Sequence, residues 1–245
     1  MSGWTSSHLS HRPTSQCIFC GGRPLSAEHV WSRWTHKYIP YDPAHRAKKA
    51  LVSVSFRDRT DYERVPMPQD LRQWKVRVVC ARCNNGWMSL VENRAKSILV
   101  PLFSGKQARL HPEAQTRIAT WISLKTMVCE FDQLGHMVSH HTQRRRLMVK
   151  SLPPATSMAI WIGHYVRNDW IPRWICHPFL LLTQSQLQDR PDDSATYYNS
   201  QAVTYVFGEL FVDVIQSSYK EIVNRLPTPS TRRIKIASHL ASQWL

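Results

Sequence analysis

Nothing in the 245 residues approaches the run of about 18 apolar residues that a membrane-spanning helix needs. The stretch Met1–Pro13 also lacks the apolar core of a secretory leader, so the expected location is the cytoplasm. Acidic residues are scarce, 17 against 32 Lys and Arg, and the formal charge is +15 with a pI near 9.9. Such a field disfavours polycationic partners and attracts polyanions, with nucleic acid first and anionic membrane surface second. Only 8 residues are glycine and no internal repeat is visible, which excludes collagen-like and solenoid architectures. A hydrophobic content of 42% is that of a globular protein.

The basic excess is spread along the chain. Residues 1–105 hold 16 basic and 7 acidic side chains, and the rest hold 16 and 10, so both parts could touch a phosphate backbone. The six cysteines are sparse but patterned, as two C-x2-C pairs (Cys17/Cys20 and Cys80/Cys83) plus the isolated Cys129 and Cys176. In a reducing compartment this pattern points to metal rather than disulfides. Two thiolates on each tight knuckle suit one tetrahedral Zn²⁺, which would clamp the 59 residues between the pairs onto the core. A closed four-sulfur site leaves no position for water or substrate, so any catalysis needs another site. Cys129 and Cys176, each among apolar residues, read as small buried hydrophobes.

Residues 1–14 read as a flexible leader, 15–105 as a compact zinc-braced unit, and 106–245 as a second α+β domain with an antiparallel sheet. Strand-like runs at Leu51–Phe56 and Trp74–Val79 precede a helical pattern through Trp87, Val91, Ala95, Ile98 and Leu102 that ends near Pro101. Pro112 opens a second helix carrying Ile118, Trp121, Ile122, Lys125, Val128 and Cys129 on one side. Beyond it, Met158–Val166, Trp174–Thr183 and Ala202–Ile215 read as strands, and Pro227-Thr-Pro229 marks a bend before a basic tail.

Hydrolysis of a phosphodiester needs a base to activate water and a cation to stabilise the charge that develops. Glu28-His29 and Asn84 have the right chemistry, because neighbouring side chains on extended backbone diverge and Asn84 directly follows a zinc cysteine. In Cys17-x2-Cys20, Glu28-His29 and Cys80-Ala-Arg-Cys83-Asn84 the chain resembles the HNH endonucleases, and its Asn after the last cysteine is similar to their endonuclease VII branch. The string Cys80 to Ser89, with Glu28-His-Val-Trp31, also resembles a group of bacterial and phage HNH-like proteins. The resemblance spans about residues 15–100 and implies a ββα-metal fold. It makes His29 the general base, and Glu28 and Asn84 the ligands of a catalytic Mg²⁺ or Mn²⁺. The middle asparagine of that motif has no match before Cys80, where Gln69 and Gln73 are the nearest amides, and Glu stands at 28 where Asp is commoner.

Glu92, 8 residues past Asn84, could approach the metal from two turns up the helix, and Asn85 could cap that helix. Arg33, Lys37, Arg46, Lys48 and Lys49 follow His29 and are the expected phosphate contacts. His36 and His45 are alternative bases. The cluster His136, His140, His141 and Arg144-Arg145-Arg146 reads as an exposed basic loop that could also touch DNA, while Trp31, Trp34 and Trp87 read as core beneath the site. DNA is the expected substrate. The alternatives are RNA cleavage, or a catalytically inactive zinc-braced nucleic-acid-binding or assembly module.

Overall fold

The computed structural model describes residues 15–39, 48–54, 60–66, 71–131, 137–165, 174–179, 181 and 199–226. The expected leader, His45, Arg46, Gln69, His136 and the Pro227–Pro229 bend lie outside these residues, as do the side chains of Lys48 and Lys49. The fold is α+β, as expected. Strand β1 (Leu25–His29) pairs antiparallel with β4 (Lys75–Cys80), and the excursion between them contains β2 (Lys48–Val54) paired antiparallel with β3 (Thr60–Pro66). A short α1 (Ala81–Cys83) and a π-turn at Asn84–Met88 lead from β4 into α2 (Ser89–Phe103). Helices α3 (Pro112–Cys129) and α4 (His141–Lys150) follow. A four-stranded antiparallel sheet has the order β5 (Met158–His164), β8 (Leu210–Ser217), β7 (Ser200–Phe207), β6 (Trp174–Phe179), and α5 (Lys220–Arg225) comes after it.

Local pattern explains the main elements. In β4, Lys75 and Arg77 face solvent while Val76 and Val78 point inward, the period of a half-buried strand. Val91, Ala95, Leu99 and Phe103 recur every four residues down α2 and form its buried stripe. From Thr120 to Cys129, α3 is buried on every side, as a helix does when it runs through a core rather than over one.

Three expectations differ from what is observed. Helix α2 runs past Pro101 to Phe103, because Phe103 is buried and stacks on Trp34 and Phe207, and that packing outweighs the backbone hydrogen bond the proline cannot make. The run Ala202–Ile215 is two strands rather than one. They turn at Gly208, whose φ is +56° and where a Cβ would lie 2.2 Å from the Phe103 carbonyl oxygen. The basic cluster after His140 is helix α4, begun by a capping box in which His140 Nδ1 accepts from Thr142 N and Gln143 Oε1 accepts from His140 N. Its Arg144 turns inward to Glu130 at 3.2 Å, leaving Arg145 and Arg146 outside.

One hydrophobic core runs across residue 105. Trp31 meets the Phe207 ring edge-on at 4.9 Å, Trp34 stacks on Phe103 at 5.5 Å, and Trp121 packs against both Trp34 and Phe207. Among the described residues, no helix is long and apolar enough to cross a membrane.

Candidate functional site

The two cysteine pairs converge. The Sγ atoms of Cys17, Cys20, Cys80 and Cys83 all lie within 4.8 Å of one another, close to the sulfur separation of about 3.8 Å that tetrahedral zinc thiolate bonds require. The surroundings fit an ion as well. Gly22 N donates to Cys20 Sγ at 3.3 Å and Cys83 N to Cys80 Sγ at 3.4 Å, the amide contacts that stabilise thiolates on a knuckle. A Cβ at Gly22 would sit 3.1 Å from Cys20 Sγ, tighter than an ordinary contact, and 3.7 Å from Cys80 Sγ, so a side chain there would press on the sulfur cluster. The Trp87 indole N–H, without an oxygen or nitrogen acceptor, lies against Cys83 and favours its ionised form.

The thiols of the cluster are shifted in different directions. Burial pushes Cys83 and Cys20 up, whereas for Cys80 burial is outweighed by the Cys83 amide and neighbouring thiols, and it falls to about 7. A divalent ion reverses that balance, and its binding releases protons. The four cysteines can therefore hold a structural metal ion, for which Zn²⁺ is the fitting choice. Asn85 is exposed in the π-turn and makes no capping hydrogen bond among the described residues. The Cys80 sulfur caps the turn instead.

His29 closes β1, directly opposite Lys75 on β4, so the two side chains share one face of the strand pair. Its ring meets the His36 ring edge-on at 5.7 Å, and His36 Nε2 is itself 3.0 Å from the Trp31 carbonyl oxygen. Burial, then electrostatic interaction with Lys75, Arg33, His36 and Lys125, brings the His29 pKa down to about 4. The imidazole is therefore neutral at physiological pH and stands in a positive field. Arg33, Lys75 and Arg77 are exposed, with no carboxylate partner among the described residues. Lys37 is exposed, with its ammonium 4.9 Å from the Tyr38 ring.

Glu28 points the other way. It is 7% exposed, and its Oε1 accepts from Lys125 Nζ at 2.9 Å. The same ammonium bonds Glu92 Oε1 at 2.7 Å and the His29 carbonyl at 3.4 Å, using all three of its protons. Glu92 also accepts from the Ser32 hydroxyl. Burial by itself would lower Lys125, but Glu92 and Glu28 more than offset it and hold the ammonium charged; Lys125 in turn overrides burial to hold Glu92 low. Removing one member of such a buried cluster costs about 3–5 kcal/mol.

Among the described contacts, the α2 side chain that meets the Glu28 partner is thus Glu92. Asn84 sits at the cysteine end of β1, donating through Nδ2 to Ser26 Oγ at 3.3 Å. The sequence reading missed Lys125 and Lys75. A lysine in the middle of an otherwise apolar helix face was the visible signal for Lys125. Trp31 is buried in the core, and Trp34 and Trp87 are partly buried and packed against it.

No family model, curated protein or solved structure matches this chain.

Proposed function

We propose that the chain is an endonuclease of the ββα-metal kind that hydrolyses phosphodiester bonds in DNA, with His29 as general base. The observation that carries the reading is the placement of His29. It is a neutral, half-buried imidazole on the strand paired with β4, which runs straight into the cysteine knuckle and α2, with Lys75 opposite and Arg33 nearby. A neutral imidazole can take a proton from attacking water, and the exposed cations around it suit a phosphate. A phosphodiester seated among them offsets their field and raises the basicity of His29.

A catalytic Mg²⁺ or Mn²⁺ would take hard oxygen donors, for which the resemblance names Glu28, whose Oε1 accepts from Lys125, and Asn84, whose Nδ2 donates to Ser26 Oγ. When bound, such an ion supplies Lewis-acid stabilisation of the developing charge. Supercoiled plasmid incubated with the zinc-loaded protein and Mn²⁺ or Mg²⁺ should be nicked. His29→Ala, with its fold intact by circular dichroism, should lose about 10²–10⁴-fold in rate, the usual contribution of a general base. Equal nicking by wild type and variant would defeat the reading. Structured and single-stranded RNA in the same assay test the RNA alternative.

One observation favours a second reading, a zinc-braced module that binds nucleic acid without cutting it: the Glu28 carboxylate already has a buried cation in Lys125. Salt-sensitive DNA binding with no product under any divalent ion is the result that reading expects.

A further inference from the structure

Lys125 lies 97 residues from Glu28, in a helix outside the segment that carries the cysteines and His29. Its ammonium nevertheless ends at the strand position that presents the imidazole. Each of its three protons has an acceptor: Glu28 Oε1, Glu92 Oε1 and the His29 carbonyl oxygen. These acceptors come from the end of β1 and from α2, and the donor comes from α3, so three elements meet on one nitrogen that water does not reach. A surface ion pair fixes little, because its charges are solvated in any arrangement. A buried ammonium has no solvent to fall back on and holds its acceptors in place.

We infer that Lys125 is a positioning residue for His29: it fixes the backbone at the end of β1 through the His29 carbonyl and the adjacent Glu28 side chain, and so sets where the imidazole stands relative to Lys75 and Arg33. The activity readout rests on the nuclease reading, while the spectroscopic readout does not. The cluster carries a net charge of −1, from two carboxylates and one ammonium, so the Lys125→Met/Glu92→Gln double variant keeps the net charge while removing the tether. In the zinc-loaded full chain, the double variant should fold and keep its zinc. Its His29 ring resonances should move and broaden in ¹H–¹⁵N spectra. Its kcat for plasmid nicking should fall roughly 10²-fold, the cost of misplacing a reacting group by about 1 Å, with KM for DNA within about twofold.

A purely structural lysine would lower the melting temperature and leave kcat and the His29 resonances alone; that result overturns the inference. Should the double variant not fold, Lys125→Arg, which keeps the charge but replaces three tetrahedral donors with a planar fork, decides it by the same readouts. If the wild-type protein nicks nothing, the nuclease reading fails, and the His29 resonances alone decide the positioning role.

Discussion

Charge in this protein is placed by depth. Arg33, Lys75 and Arg77 lie at the surface beside His29, whereas Lys125 and Arg144 are enclosed and spend their charge on Glu28, Glu92 and Glu130. Asp213 is a milder case: it accepts from Thr204 Oγ1 at 3.0 Å on the β8 strand, and burial raises its pKa above the ordinary aspartate value. An acid whose folded pKa is raised is easier to fold protonated. Its contribution to stability is therefore present below the unfolded pKa near 3.8 and declines as pH climbs through the raised value. Asp213→Asn removes that decline, so the melting temperature of the variant should exceed wild type at pH 7 and match it near pH 3; a lower melting temperature at pH 7 would contradict the argument. At this scale the cysteine spacing was readable from chain order alone, whereas His29 and Glu28 stood out only through the resemblance to the HNH endonucleases and their position between the two cysteine pairs. The partnership of Glu28 with Lys125 was not, because chain order says nothing about two groups 97 residues apart, and because a lysine is by default a surface residue.

Elements were legible where periodicity was strong, and their connections were not. Helix α3 starts at the proline that announces it, and β4 has the alternation its sequence shows. The β7–β8 turn was hidden because Val, Tyr, Phe and Ile continue on both sides of it, and Gly208 was its one local marker. That glycine has two duties, a left-handed backbone and close approach to the Phe103 carbonyl, which also accepts from Glu209 N at 3.0 Å. Gly208→Ala should therefore cost roughly 1–3 kcal/mol from the backbone conformation, with the steric conflict added, and a urea melt should show a lower midpoint at unchanged slope. A neutral outcome would mean that the turn and the end of α2 can shift apart. Helix α4 escaped the reading because three consecutive arginines look solvated, whereas the fold turns Arg144 inward against Glu130 and the Phe131 ring and leaves its neighbours outside.

Across the whole molecule, the cysteine knuckle and the four-stranded sheet contribute to one hydrophobic core. Cys17, Cys80 and Cys83 are buried in the same hydrophobic core as Trp121, Tyr205 and Phe207. Removing the metal should accordingly be felt far from the sulfurs. The purified chain should contain a single equivalent of zinc, and chelation should shift tryptophan fluorescence and near-ultraviolet circular dichroism in one concerted transition. Native-like tryptophan signals after complete metal removal would show that the core does not depend on the knuckle. The order of elements, with the cysteine-bearing unit and its helix followed by a new helix at Pro112, pointed to a division near residue 105; the packing across that point was not legible, since it depends on which aromatic faces meet in space.

The stacking of Phe103 on Phe207, 5.1 Å apart, bears on how such a chain can change over evolutionary time. Each ring is the other's shelter, so a recombination event that delivered the front half to a new host without the rear sheet would leave a sticky, water-exposed cluster of indoles and phenyls. The two halves are expected to travel as one heritable block, with variation confined to loops and to the solvent side of the helices.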